Sequence, residues 1–302
     1  MQQQRHFPSP GDTIGDRYVI ESELGAGASS RVYAAIQTRL NRQVALKITS
    51  IPPARDTDAF ERWTQRFERG ARILSELNNP HVVDVYEFGE TGDGQLFMAM
   101  ELVDGQTLKQ RVRRRQLSAE EAAELGLALL DALADAHEHG VLHRDVKPEN
   151  IMLTADDEVR LLDFGVAKPL ETGAEPDRPG LTQEGIFVGT PKYAAPEYLL
   201  GGELGPWCDI YSLGLVLWEA VTGDPMVKAA DTQASLRQHM VPEPFEFSAE
   251  DVQSASFAEI LRKMSAKDPE TRYRRAADAS AALRAFLDGD VDLTSNEFRN
   301  AA

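Results

Sequence analysis

The stretch HRDVKPEN at His143 to Asn150, followed by DFG at Asp163 to Gly165, decides how the rest of this chain is read. Asp145 is a candidate proton acceptor, and Lys147, two residues on, is a cation. Asn150, five residues after Asp145, is a neutral metal-ligand candidate, and Asp163, thirteen residues further, is a hard carboxylate. One group can orient an attacking hydroxyl, one can neutralise developing charge, and two can offer oxygen to a hard divalent cation. A lone HRD or DFG would carry little weight. Both together, in this order and at this spacing, point to phosphoryl transfer.

Upstream of that stretch the pattern is mainly β. Residues 1 to about 16, rich in Gln, Pro and Gly, read as a tail without fixed structure. From Tyr18, YVIESELGAGASSRVYAAI gives two apolar runs joined by a glycine-bearing turn, and RQVALKIT gives a third strand. A helix is expected over about 58–77, closed by Asn78, Asn79 and Pro80. VVDVYEFGE and QLFMAMELV, separated by TGDG, read as two more strands. After residue 105 the composition turns helical. Ser118 and Glu121 form a capping box, and Leu125, Ala128, Leu129, Ala132, Leu133 and Ala136 line one helical face. Two short strands, 151–154 and 159–163, bracket the chemistry. Residues 166–190 are polar and too long for an ordinary connector, which marks them as functional. From about Cys208 onward SLGLVLWEAV, SFAEILRKM and ADASAALRAFL read as helices.

Composition narrows the function classes. The 302 residues carry 32 Lys plus Arg against 49 Asp plus Glu, a formal net charge of -17. Such a surface repels phosphate backbones and anionic lipid, so neither a nucleic acid nor a membrane is expected as a partner. The basic run RVRRR at 111–115 reads as a solvated helix face. Cys208 is the only cysteine, so no intramolecular disulfide or thiolate cluster can form. The polar N-terminus has no signal-peptide pattern, and no apolar run approaches the roughly 18 residues of a membrane span. A reduced, cytoplasmic protein is expected.

GAGASSRV at 25–32 lies between two strands, where its N–H groups can face phosphate oxygens; a dinucleotide-binding turn would instead open a helix. VALK at 44–47 puts Lys47 in a strand built for burial, and a buried ammonium needs an anionic partner. With these motifs, HRDVKPENIML, DFG, GTPKYAAPE at 189–197, DIYSLG at 209–214 and DPETR at 268–272, the chain resembles the Hanks-type serine/threonine protein kinases, most closely their bacterial branch. The resemblance covers about residues 18–288. It implies an α+β bilobal kinase fold: a five-stranded antiparallel N-lobe with one helix over about 18–101, a hinge at 101–105 and a mainly helical C-lobe over about 106–288. Residues 1–17 and 289–302 would be tails.

The resemblance also implies roles. Lys47 would hold the α- and β-phosphates, Asp145 would accept the proton of the substrate hydroxyl, and Lys147 would stabilise the transferring γ-phosphoryl. ATP would lie against Leu24, Gly25, Gly27, Val32, Ala45, Lys47 and the gatekeeper Met100, its adenine pairing with the backbone of Glu101 and Val103. Asn150 and Asp163 would hold Mg2+, with Mn2+ as a stand-in. Thr190 would favour serine or threonine acceptors on protein substrates. Arg144 would engage a phosphate on the activation loop, with Thr182 the expected autophosphorylation site, Thr172 a weaker one and Glu184 a fixed negative charge two residues on. A homodimer would allow that step in trans. Glu197, Arg272 and Asp209 would be structural. Ser30 replaces the third loop glycine, and Gly70 stands where the family carries the helix glutamate that pairs with the strand lysine. The expected function is a working kinase in which Asp163 and the phosphates position Lys47. The alternative is a nucleotide-binding pseudokinase scaffold. A small-molecule phosphotransferase is set aside because of GTPKYAAPE and the APE-to-arginine pair.

Overall fold

The computed structural model describes residues 7–27, 30–49, 57–92, 94–164, 191–229 and 231–289. They fall into two compact units that divide near residue 104, with residues 79–81 belonging to the second.

The first unit is a sheet of order β1-β2-β3-β4-β6-β5: β1 Thr13–Ile14, β2 Tyr18–Ala26, β3 Ser30–Gln37, β4 Arg42–Thr49, β5 Val85–Glu90 and β6 Leu96–Met100. All neighbours are antiparallel. Among the described residues this sheet has six strands where five are expected, because the segment read as a tail contributes β1. Two residues are too short to show alternation. What makes this strand is a turn through Gly15 and Asp16, both in the left-handed region (φ 55° and 56°), which returns the chain onto Tyr18. Side chains alternate faces along each strand. Tyr18, Ile20, Tyr33, Ala35, Val44, Leu46, Ile48, Phe97 and Ala99 form one buried cluster on a single face. Helix α1 (Thr57–Glu76) buries Phe67, Ala71 and Leu74 at i, i+4 and i+7, a helical stripe.

The second unit contains a small antiparallel sheet of β7 (Gly105–Thr107), β8 (Ile151–Thr154) and β9 (Val159–Leu161). Its helices are α2 (Leu108–Arg114), α3 (Ala119–Glu138), α4 (Pro196–Leu200), α5 (Pro206–Thr222), α6 (Thr232–Met240), α7 (Ala255–Met264) and α8 (Ala276–Leu287). The capping box of Ser118 and Glu121 closes at 3.1 Å and 2.8 Å. A second box, Thr107 with Gln110, starts α2. Helix α5 is buried along almost its whole length and forms the centre on which α3, α7 and α8 pack. Gly214 allows this: a Cβ there would lie 2.8 Å from the Cβ of Met264. Trp218 meets Phe247 edge-on at 5.3 Å, and Phe257 meets Phe286 at 5.2 Å. Among the described residues no helix is long and apolar enough to cross a membrane.

Candidate active site

In the first unit, strand register selects the residues that share a face. Lys47 stands opposite Val32 on β3 and Met98 on β6, Ala45 opposite Ala34 and Met100, and Gly25 opposite Val32. Directly paired residues project to the same side. Gly25, Val32, Ala45, Lys47 and Met100 therefore share the face opposite the buried cluster, joined by Met98, which the sequence reading omitted. Leu24 is 53% exposed beside the glycine turn, and the Gly27 N–H closes that turn on the Ser30 carbonyl at 2.7 Å. The Glu101 N–H donates to the Asp84 carbonyl at 2.9 Å, and Val103 follows outside any strand or helix. Gly70 lies in the second turn from the end of α1 and is half-buried.

In the second unit, the loop from His143 to Asn150 is a set of short-range hydrogen bonds. Lys147 Nζ donates to Asp145 Oδ2 at 2.6 Å. Asn150 Nδ2 donates to the Asp145 carbonyl at 2.9 Å and to Asp145 Oδ2 at 3.1 Å. The side-chain amide of Asn150 is thereby oriented, with its nitrogen toward Asp145. The Leu162 N–H donates to the Asn150 carbonyl at 2.8 Å, so β8 and β9 deliver Asp163 beside the loop. Arg144 and Asp163 both have positive φ, 62° and 57°. Non-glycine residues held there carry strain of about 1–3 kcal/mol that surrounding contacts must offset.

For Arg144 that contact is Asp209, in the first turn of α5. Asp209 Oδ1 accepts from the Arg144 N–H at 2.7 Å. Its Oδ2 accepts from the His143 N–H at 2.9 Å and from His137 Nε2 at 2.8 Å. Asp209 is 0% exposed. Burial by itself raises its pKa, but the hydrogen bond and charge of His137, with His143 and the Arg144 N–H, outweigh it and hold the carboxyl below its ordinary range. His143 is fully buried, and burial pushes its pKa down. Its Nδ1 accepts from the Asp145 N–H at 3.2 Å, and its Nε2 lies 2.8 Å from the Leu162 carbonyl. Both ring nitrogens are thus satisfied by one neutral tautomer, the Nε2–H form. The ring also packs on Phe164, centroids 4.6 Å apart.

Two further buried clusters brace this unit. Arg272, with a side chain 0% exposed, forks onto Glu197 at 2.6 Å and 2.8 Å and also donates to the carbonyls of Ala266, Trp207 and Lys267. The Cys208 thiol donates to Glu197 at 3.1 Å, and its burial, followed by the charge of Glu197, pushes its pKa up. A second carboxylate, Glu219, is 2% exposed and accepts from Tyr193 Oη at 2.5 Å and Lys109 Nζ at 2.7 Å. Lys109 also lies 3.9 Å from Glu149, inside the loop from His143 to Asn150. The sequence reading passed over Lys109, Tyr193 and Glu219; it gave His137 a structural or solvent role, without its partner Asp209. One signal was available: Glu219 is a lone acid in the apolar run SLGLVLWEAV, and a buried carboxylate needs partners. Gly165, Thr172, Thr182, Glu184 and Thr190 lie outside the described residues.

The fold and this constellation have a counterpart among known families. The protein kinase domain model matches residues 18–283, and the chain belongs to that family. Members use ATP and a divalent metal ion and act on proteins. The chain is 36% identical over 282 residues to the serine/threonine-protein kinase PknB of Mycobacterium tuberculosis, covering 92% of this chain and 44% of that protein. It is 38% identical over 239 residues to the serine/threonine-protein kinase pkn3 of Myxococcus xanthus, covering 78% and 43%. A probable serine/threonine-protein kinase of Streptomyces coelicolor, SCO3848, is 35% identical over 282 residues, covering 91% and 41%. The chain thus spans less than half the length of these relatives.

Proposed function

We propose that this chain transfers the γ-phosphoryl group of ATP to serine or threonine hydroxyls of proteins. The observation that carries the reading is the Asp145–Lys147–Asn150 cluster, held by Asp209 and set beside Asp163. Asp145 accepts the proton of the incoming hydroxyl and orients it, while Lys147, already 2.6 Å from that carboxylate, supplies positive charge next to the transferring group. In the first unit Lys47 reaches the α- and β-phosphates. Gly25, Gly27, Leu24, Val32, Ala45 and Met100 receive the nucleotide. Because the Glu101 N–H is engaged by Asp84, adenine pairing at Glu101 uses its carbonyl, with Val103 supplying the next backbone group.

The donor set suits magnesium, and Mn2+ in its place. The amide oxygen of Asn150, whose nitrogen is held by Asp145, and the carboxylate of Asp163 are two hard ligands, and such an ion takes its remaining positions from water and phosphate. When bound, it neutralises charge on the phosphates. Arg144 serves an activation-loop phosphate and Thr190 the choice of acceptor. Thr182 is the autophosphorylation site, modified by a second copy, with Thr172 secondary and Glu184 a built-in charge. A cytoplasmic compartment suits ATP use and the reduced Cys208.

The test is phosphate incorporation from labelled ATP by the wild type, Asp145→Asn and Gly70→Glu. Asp145→Asn should lose about 10²–10⁴ in rate, the range for removing a general base. Equal incorporation by wild type and Asp145→Asn would overturn the reading. A gain in Gly70→Glu would locate the rate limit behind Lys47. Phosphate found at Thr182 by mass spectrometry after incubation with Mg-ATP would support the regulatory assignment, and an unmodified Thr182 would remove it.

A further inference from the structure

Residues 7–17 precede the span 18–283 that the protein kinase model matches, yet they are built onto the sheet of the first unit. A tight turn organises them. The Asp12 N–H donates to the Ser9 carbonyl at 3.0 Å, and the Ser9 N–H to Asp12 Oδ2 at 2.7 Å. Gly11 is in the left-handed region (φ 93°), where a side chain would be strained. The Gly11 N–H donates to the Ile20 carbonyl and the Ile20 N–H to the Asp12 carbonyl, both at 2.9 Å, and β1 continues the pairing with β2. Pro8 and Pro10, each with a fixed φ, stiffen the connection from this turn to Phe7. The backbone thus delivers Phe7 to the sheet, and its ring packs, half-buried, on the apolar cluster that includes Tyr18, Ile20 and Tyr33.

The same ring has a second neighbour. The Arg31 guanidinium lies over it, 4.9 Å from the centroid. Arg31 stands opposite Ala26 on β2, at the root of the glycine hairpin whose tip is closed by the Gly27–Ser30 bond. From there Arg31 Nη1 donates to Glu23 Oε2 on the other strand, at 2.6 Å. Glu23 is paired with Tyr33, two residues from Arg31, so all three project to the face of the apolar cluster, away from Val32, Ala45 and Lys47. Both members of the Glu23–Arg31 pair are 39% exposed. An ion pair that open to water contributes little by itself, because two long side chains must be ordered to make it. Phe7 changes the balance: with one face of the guanidinium against the ring, the rotamer that reaches Glu23 is already selected. Arg42 with Tyr86 and Lys263 with Tyr273 are comparable contacts, but each joins residues within the matched span. The contact of Phe7 with Arg31 instead ties a segment outside that span to the hairpin.

Resting on the nucleotide role given to this hairpin above, we propose that Phe7 is a positioning residue for ATP. Through Arg31 and Glu23 it clamps the root of the hairpin, which keeps Gly25 and Gly27 in place for the phosphates. A looser hairpin is competent for a smaller fraction of the time, and apparent nucleotide affinity falls by that fraction.

The first measurement is hydrogen exchange by mass spectrometry on the nucleotide-free chain. It compares the wild type with Phe7→Leu, Arg31→Gln, the double variant and Phe7→Tyr. Phe7→Leu keeps apolar bulk on the cluster and loses the ring. Peptides covering 22–33 should exchange about two- to fivefold faster in Phe7→Leu and in Arg31→Gln, the range that one exposed cation–ring contact supports. Peptides covering 42–49 and 96–100 should not change. The double variant should exchange no faster than Arg31→Gln, and Phe7→Tyr should match the wild type. Unchanged exchange over 22–33 in Phe7→Leu overturns the proposal, and so do additive effects in the double variant. A rise shared by 42–49 and 96–100 also overturns it, because that marks general loosening of the sheet. The second measurement is steady-state phosphate transfer: KM for ATP should rise about two- to fivefold in Phe7→Leu, with a smaller change in kcat. Faster exchange with KM unchanged overturns the positioning role. A wild-type chain that incorporates no phosphate refutes the kinase reading instead, and the exchange result then decides the clamp by itself.

Discussion

Replacing Asp209 with asparagine keeps the shape of the side chain and removes one acceptor. The carboxylate takes three hydrogen bonds, one on Oδ1 and two on Oδ2. In the better orientation the amide oxygen occupies the Oδ2 position and keeps the bonds from His143 and His137. The amide nitrogen then faces the Arg144 N–H, donor against donor, in a site without solvent exposure. Losing a hydrogen bond to a charged group costs about 1.5–3 kcal/mol, and stranding the buried N–H about 1–3 kcal/mol more. Removing the buried charge returns part of its desolvation cost, leaving a net loss of about 3 kcal/mol. For a chain of this size that lowers the melting temperature by about 6–9 °C. The left-handed Arg144 loses the contact that offsets its strain, so Asp145 shifts and the phosphate-incorporation rate falls more than the apparent affinity for ATP. Acid behaviour supplies a second signature. The folded Asp209 has its pKa depressed, so its stabilisation is present at neutral pH and is lost as pH falls below about 4 toward the folded value. The asparagine variant lacks that part of the acid loss. Thermal and urea melts across pH decide it: a variant melting within about 2 °C of wild type would refute the account of the brace.

Three other outcomes follow from the same structure. Lys109→Met leaves the carboxylate of Glu219 buried with Tyr193 alone and should cost about 3 kcal/mol, while Lys109→Met/Glu219→Gln should recover most of it; urea midpoints of the four proteins test this, and simple additivity of the two single changes would contradict it. His143 is held neutral by burial, so its folded pKa lies below the unfolded value; the unfolded chain binds more protons below about pH 6.5, and stability should fall as pH drops through that range. Ring ¹⁵N spectra should show the His143 Nε2–H form persisting below the pH at which an ordinary imidazole protonates, and titration near 6.5 would contradict the hydrogen-bond assignment. Gly214→Ala should destabilise by about 1–2 kcal/mol, because overpacking against Met264 and Ser265 exceeds the helix-propensity gain of about 1 kcal/mol, and a variant as stable as wild type in a urea melt would show that α5 and α7 can separate at little cost.

Much of the fold and site was legible because the determining interactions are short in sequence. His143, Asp145, Lys147 and Asn150 bond one another across two to five residues, and the strands of the first unit follow from alternation and glycine-bearing turns. Strand β1 was missed because two residues cannot show a period; its pairing comes from two left-handed turn residues. Residue types alone identified the kinase family and pointed to the candidate catalytic loop and the lysine strand. Tertiary structure decided which groups hold that loop in place. Asp209 reaches back 65 residues to Arg144, and Lys109 meets Glu219 across 110 residues. It also put Phe7, in a segment read as a tail, against Arg31 at the root of the glycine hairpin. A local pattern reports which face of an element is apolar. It does not report which distant buried polar group must satisfy another, because that pairing is fixed only when burial removes water as the alternative partner.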